Sequence, residues 1–137
     1  MTEQNQSKKE PPYRLKTPFG SGCFGMEMQA SAEGMEYEIV FEDQHQGPPS
    51  HAHGGAIATV LDEVMAASAI ANNPYTLLAH MSIGYKRPIP TNTKIIARSH
   101  INYKKLKKVV VEGGLYLEDG TQLCSSEGVY VTAKVKS

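Results

Sequence analysis

Ala56-Ile57-Ala58-Thr59-Val60-Leu61-Asp62-Glu63-Val64-Met65-Ala66-Ala67-Ser68-Ala69-Ile70-Ala71, opened by Gly54-Gly55 and stopped by Asn72-Asn73-Pro74, is the one strong helix candidate in this 137-residue chain. Ile57, Val60, Leu61, Val64 and Ser68 recur at helical spacing, so one stripe of the helix is predicted to be buried. Downstream, only strand-like runs follow: Thr76 to Tyr85, Lys94 to Tyr103, Val109 to Leu117 and Gln122 to Ala133. Each is bounded by a turn signal, namely Pro88 to Asn92, the lysine cluster Lys104 to Lys108, and Glu118-Asp119-Gly120. Upstream, Cys23 to Phe41 reads as two strands around Ala32-Glu33-Gly34, with Tyr37, Ile39 and Phe41 alternating against Glu36, Glu38 and Glu42. Between strand and helix lies Asp43 to His53, whose Pro48-Pro49 pair excludes regular structure through it. The order predicts an α+β domain in which a single helix covers the apolar face of an antiparallel sheet.

Composition narrows the function. Fourteen Lys and Arg balance fourteen Asp and Glu, so the basic surplus of a nucleic-acid coat is absent and no nucleic-acid partner is expected. Apolar residues at 40% with charged residues at 20% suffice for one core. Residues 1–12 are polar and end in Pro11-Pro12, predicting a loose tail that is neither a secretory signal nor an anchor, ahead of a single domain over residues 13–137. Asp62 and Glu63 interrupt the longest uncharged stretch, so no membrane span is expected and the cytoplasm is the simplest location. Cys23 and Cys124 lack metal or redox spacing and are expected to be packing residues.

Projected at 100° per residue, Asp62 falls on the flank of the buried stripe among Ala58, Met65, Ala66 and Ala69, while Glu63 points away beside Thr59 and Ala56. An acid on an alanine-lined flank suits the approach of a ligand or a partner subunit; the alternative is an acid hydrogen-bonded within the fold. Gly54-Gly55 leaves first-turn N–H groups accessible at the positive end of the helix dipole, an oxyanion-type site, or else is a plain glycine turn. Losing one such donor costs about 3 to 4 kcal/mol in a transition state. His51 and His53 form an HxH pair, but His45, His80 and His100 complete no ligand spacing, so no metal is expected. Lys104 to Lys108 reads as a solvated, edge-blunting turn. Lys86-Arg87 is open between solvation and phosphate contact.

His53-Gly54-Gly55-Ala56-Ile57-Ala58-Thr59-Val60-Leu61-Asp62, preceded by Gln46-Gly47-Pro48-Pro49 and followed by Tyr85-Lys86-Arg87-Pro88-Ile89-Pro90, resembles the hotdog-fold thioesterases, in particular the phenylacetate-pathway (PaaI-like) type. The resemblance runs from about Phe19 to Lys134. It implies a curved antiparallel sheet wrapped around one central helix, a homodimer or dimer of dimers, and active sites at the subunit interface. It also implies acyl-CoA as substrate, with no cofactor beyond the coenzyme A that the substrate carries. Carried over by position, Asp62 is the nucleophile or the general base, Gly55 with Gly54 polarises the thioester carbonyl, and His53 holds the motif. Lys86 and Arg87 become phosphate contacts for the coenzyme A arm. In related chains the strand after the helix carries a Ser or Thr that orients the catalytic water; here that position is Leu78, with Thr76 two residues earlier on the same strand face. Hydrolysis of an acyl-CoA thioester is therefore the leading expectation, and a non-hydrolytic acyl-CoA or acyl-carrier binding module the alternative.

Overall fold

Nineteen residues, Gly54–Asn72, form the single long helix α1 in a computed structural model of the protein, which describes residues 34–132 and the backbone strand of residues 13–14. The helix begins two residues ahead of the expected Ala56, because His53 stays extended as N-cap and both glycines enter the first turn. It ends at Asn73, whose backbone N–H reaches the Ala69 carbonyl before Pro74 breaks the ladder. Its buried stripe is the predicted one widened on both sides: Ile57, Val60, Leu61, Val64 and Ser68 are joined by Met65 and Ala69 on the Asp62 side and by Ala67 on the other. By length and apolar content α1 would also be long enough to cross a membrane, but its buried stripe packs chiefly on β4 and β5, making it the core helix of this fold.

Six strands make one sheet: β1 (Tyr13–Arg14), β2 (Met35–Val40), β3 (Thr76–Tyr85), β4 (Lys94–Lys105), β5 (Lys108–Leu117) and β6 (Gln122–Thr132), in spatial order β1-β2-β4-β5-β6-β3. All pairs are antiparallel except the short parallel β1–β2 contact. β3 has the expected bounds, and β4 to β6 differ by one or two residues. The first strand of the expected Cys23 to Phe41 hairpin, Cys23 itself and the tail of residues 1–12 lie outside the described residues. Among the described residues β2 pairs with β1 and β4. The expected loop from Asp43 to His53 includes one 3₁₀ turn, Asp43–His45, before the proline pair.

Helix and sheet meet through close contacts that explain two unusual core residues. Ser68 and Ser99 share a 2.9 Å hydrogen bond, and Ser99 Oγ donates to the Val64 carbonyl at 2.7 Å, so the polar member of the helix stripe is satisfied. Met65 is fully buried against Gly113 and Gly128, where an added Cβ would come to 2.9 Å of Met65 Cγ and 2.8 Å of Tyr130 Cε1 respectively. Cys124 is buried, and desolvation pushes its thiol up to about 11, in keeping with a packing role. At the far end of α1, Lys104 Nζ donates to Asn72 Oδ1 at 3.0 Å, and the Lys105–Lys108 turn leaves Leu106 in solvent.

Candidate active site

The first turn of α1 leaves the N–H groups of Gly54, Gly55 and Ala56 without intrahelical acceptors. Gly55 N–H donates to His53 Nδ1 at 2.8 Å, which requires the imidazole proton on Nε2. The His53 ring thereby caps the amide that the resemblance assigns to the carbonyl. The ring fits because Gly47 has no Cβ: one would lie 3.0 Å from His53 Cα and 3.3 Å from its Cδ2. The preceding loop is pinned from both sides. His53 N–H donates to His45 O at 2.7 Å, and Ala52 N–H to Ile89 O at 2.8 Å.

Between this loop, the helix start and the segment after β3 lies a cavity of about 390 Å³, walled by Pro48, Ala52, Gly54, Ile57, Tyr85 and Ile89 with Lys86 and Arg87 at its side. The walls are mostly apolar, the cations and the positive helix end lie together, and Tyr85 OH donates to the Gly54 carbonyl at 3.2 Å. Tyr85 ties β3 to the helix start. Lys86 Nζ also donates to Gln122 Oε1 at 3.2 Å, so Arg87 is the cation less committed to its own chain. A second hollow of about 450 Å³ opens on the outer face of the sheet, where Arg98 pairs with Glu36 and His100 with Glu112, away from α1. Among the described residues no cluster of three His, Cys, Asp or Glu could hold a metal.

Asp62 lies two turns further along, about 10 Å of axial rise from Gly55. It is partly buried, with Met65 and Ala69 fully buried and Ala58 and Ala66 partly so. Tyr130 from β6 donates to Asp62 Oδ1 at 2.9 Å and lies 3.2 Å from the Asp62 carbonyl oxygen. Leu78 faces Tyr130 directly across the β3–β6 register, and β3 is the last strand of the sheet. Thr76 is elsewhere: its hydroxyl donates to the Asn73 carbonyl at 3.2 Å, closing the turn at the C-terminal end of the helix.

The structure therefore gathers His53, Gly54, Gly55, Lys86 and Arg87 at one end of α1 and sets Asp62 half-way along it against Tyr130, whose register partner on β3 is Leu78. Sequence reasoning missed Tyr85 and Tyr130. A signal for the second existed, because Cys124, Ser126, Gly128 and Tyr130 alternate along one strand, and an inward-facing phenol needs a partner for its hydroxyl.

Comparison with known proteins places this architecture. The curated acyl-coenzyme A thioesterase THEM4 of Xenopus laevis is 31% identical over 78 residues, covering 57% of this chain, and the chain spans only about a third (35%) of that protein's length. A hypothetical thioesterase from Streptococcus pneumoniae, solved with coenzyme A, superposes with a TM-score of 0.71 at 14% identity, over 81% of this chain and 85% of the other. The PaaI protein of the Escherichia coli phenylacetic acid degradation operon gives 0.69 at 12% identity, over 74% and 73%. Residues 50–124, more than half of the chain, match the family model of the thioesterase superfamily, and with that match and the shared hotdog fold the chain belongs to this superfamily.

Proposed function

We propose that this chain is an acyl-CoA thioesterase, hydrolysing R–CO–S–CoA to a carboxylic acid and coenzyme A. The observation that carries the proposal is Asp62, a half-buried carboxylate on the contact flank of α1 in a thioesterase-superfamily chain. The Asp62 carboxylate either takes a proton from the water that attacks the thioester carbonyl, or attacks that carbonyl itself to give a mixed anhydride, which water then hydrolyses to the acid and free Asp62. Asp62 stands about 10 Å along the helix from Gly55 of its own chain, so the developing oxyanion meets the helix N-terminus of a second copy, where the carbonyl oxygen replaces His53 Nδ1 as acceptor for Gly55 N–H. The sulfur leaves with a proton as free coenzyme A. Arg87, with Lys86, meets the phosphates of the coenzyme A arm.

A second copy of the chain completes the site. β3 is a ten-residue strand at the sheet edge with Leu77, Leu78 and Tyr85 exposed, and an edge of this length and polarity is a template for pairing. Edge-to-edge pairing of two β3 strands covers Leu78 and brings a partner surface to Asp62, giving the dimer, or dimer of dimers, with its sites at the interface.

Leu78 favours a second reading, because a leucine at that position orients no water: a module that binds acyl-CoA without cleaving it. Thiol release from short, medium, long-chain and aryl acyl-CoAs separates the two. Turnover on any member establishes the enzyme, and its chain-length profile measures the pocket. Calorimetric binding of an acyl-CoA with no turnover on any member leaves the binding module.

A further inference from the structure

β6 turns one aromatic residue toward α1. Tyr130 is 2% exposed, and it reaches Asp62 through two distances that fix its hydroxyl in place: 2.9 Å to Oδ1 and 3.2 Å to the main-chain oxygen of the same residue. The ring has room because Gly128, two residues earlier on the same face, lacks a Cβ; one would stand 2.8 Å from Tyr130 Cε1. Burial, and then the charge of Asp62 beside it, hold the phenol well above its ordinary value, so it remains protonated and donates. Across the sheet, in register with Tyr130, stands Leu78, which has no hydroxyl to offer.

We propose that Tyr130 is the positioning residue for Asp62 in the thioesterase reaction, fixing the carboxylate by a hydroxyl donated from β6. The inference rests on the role assigned to Asp62 above. A carboxylate held at Oδ1 keeps one rotamer and presents its other oxygen to water or to the carbonyl. A bond serving only to tie β6 to α1 would cost stability when removed and leave the chemistry alone.

The test compares Tyr130→Phe with wild type by kcat, KM and Tm, the split between kcat and KM being the readout that a merely structural bond would not move. The expected result is a kcat lower by about 10- to 100-fold with KM within about threefold. Gly128→Ala, which crowds the ring without removing the hydroxyl, should lower kcat by less with KM again little changed, and it serves if Tyr130→Phe does not fold. Wild-type kcat in the folded variants overturns the proposal. Failure of the wider reading looks different: Asp62→Asn would then turn over as wild type does, whatever happens at Tyr130.

Discussion

At the N-terminal end of α1 the cavity is enclosed by the loop before the helix, the helix start and the segment after β3, whereas half-way along the helix Asp62 is held by Tyr130 of β6, beside β3 at the end of the described sheet. The first region is finished: its loop is hydrogen-bonded to His45 and Ile89, its cap is made by His53, and Tyr85 ties it to the sheet. The second depends on a single phenol. Under the proposed function the contrast separates recognition of the coenzyme A arm, at the helix start, from the chemistry at Asp62, with pairing along β3 covering the exposed Leu77 and Leu78.

Breaking the second region should have the larger effects. Asp62→Asn should lower kcat by about 10² to 10⁴, the range for loss of a positioned acid or base, without changing oligomeric state. Leu77→Lys combined with His80→Lys places like charges along the β3 edge, both residues being exposed. That variant should run as a monomer in light scattering at micromolar concentration and lose activity at least tenfold, whereas an active monomer would show the site complete in one chain.

Perturbing the first region should be milder. His53→Ala removes the side-chain cap on Gly55 and should cost about 1 kcal/mol of stability, measured by denaturant unfolding. Arg87→Ala should raise KM for acyl-CoA about three- to tenfold with kcat little changed, and the gap between variant and wild type should narrow as salt screens the phosphate contact.

Much of the first region could be read along the chain because its parts are local. His53, Gly54 and Gly55 are consecutive, the helix stripe follows from 3.6-residue periodicity, and the position of Asp62 on the flank is a matter of angle alone. The strand bounds were legible for the same reason, each run ending in Pro, Gly or a charge cluster. What the sequence withheld is non-local. That β3 pairs with β6 and ends the sheet depends on strand order, and that Tyr130 stands opposite Leu78 depends on a register interrupted by a bulge between Leu78 and His80. The parallel contact of Tyr13–Arg14 with β2 carries no periodic signal at two residues. The capture of the Gly55 amide by His53 is a matter of side-chain rotamer, which residue order does not specify.

The most direct measurement is thiol release from the best acyl-CoA substrate by wild type and Asp62→Asn, at equal concentrations of folded protein matched in oligomeric state and Tm. The account predicts at least a hundredfold loss of kcat in the Asn variant with acyl-CoA binding retained. An Asn variant that hydrolyses within threefold of wild type would contradict it.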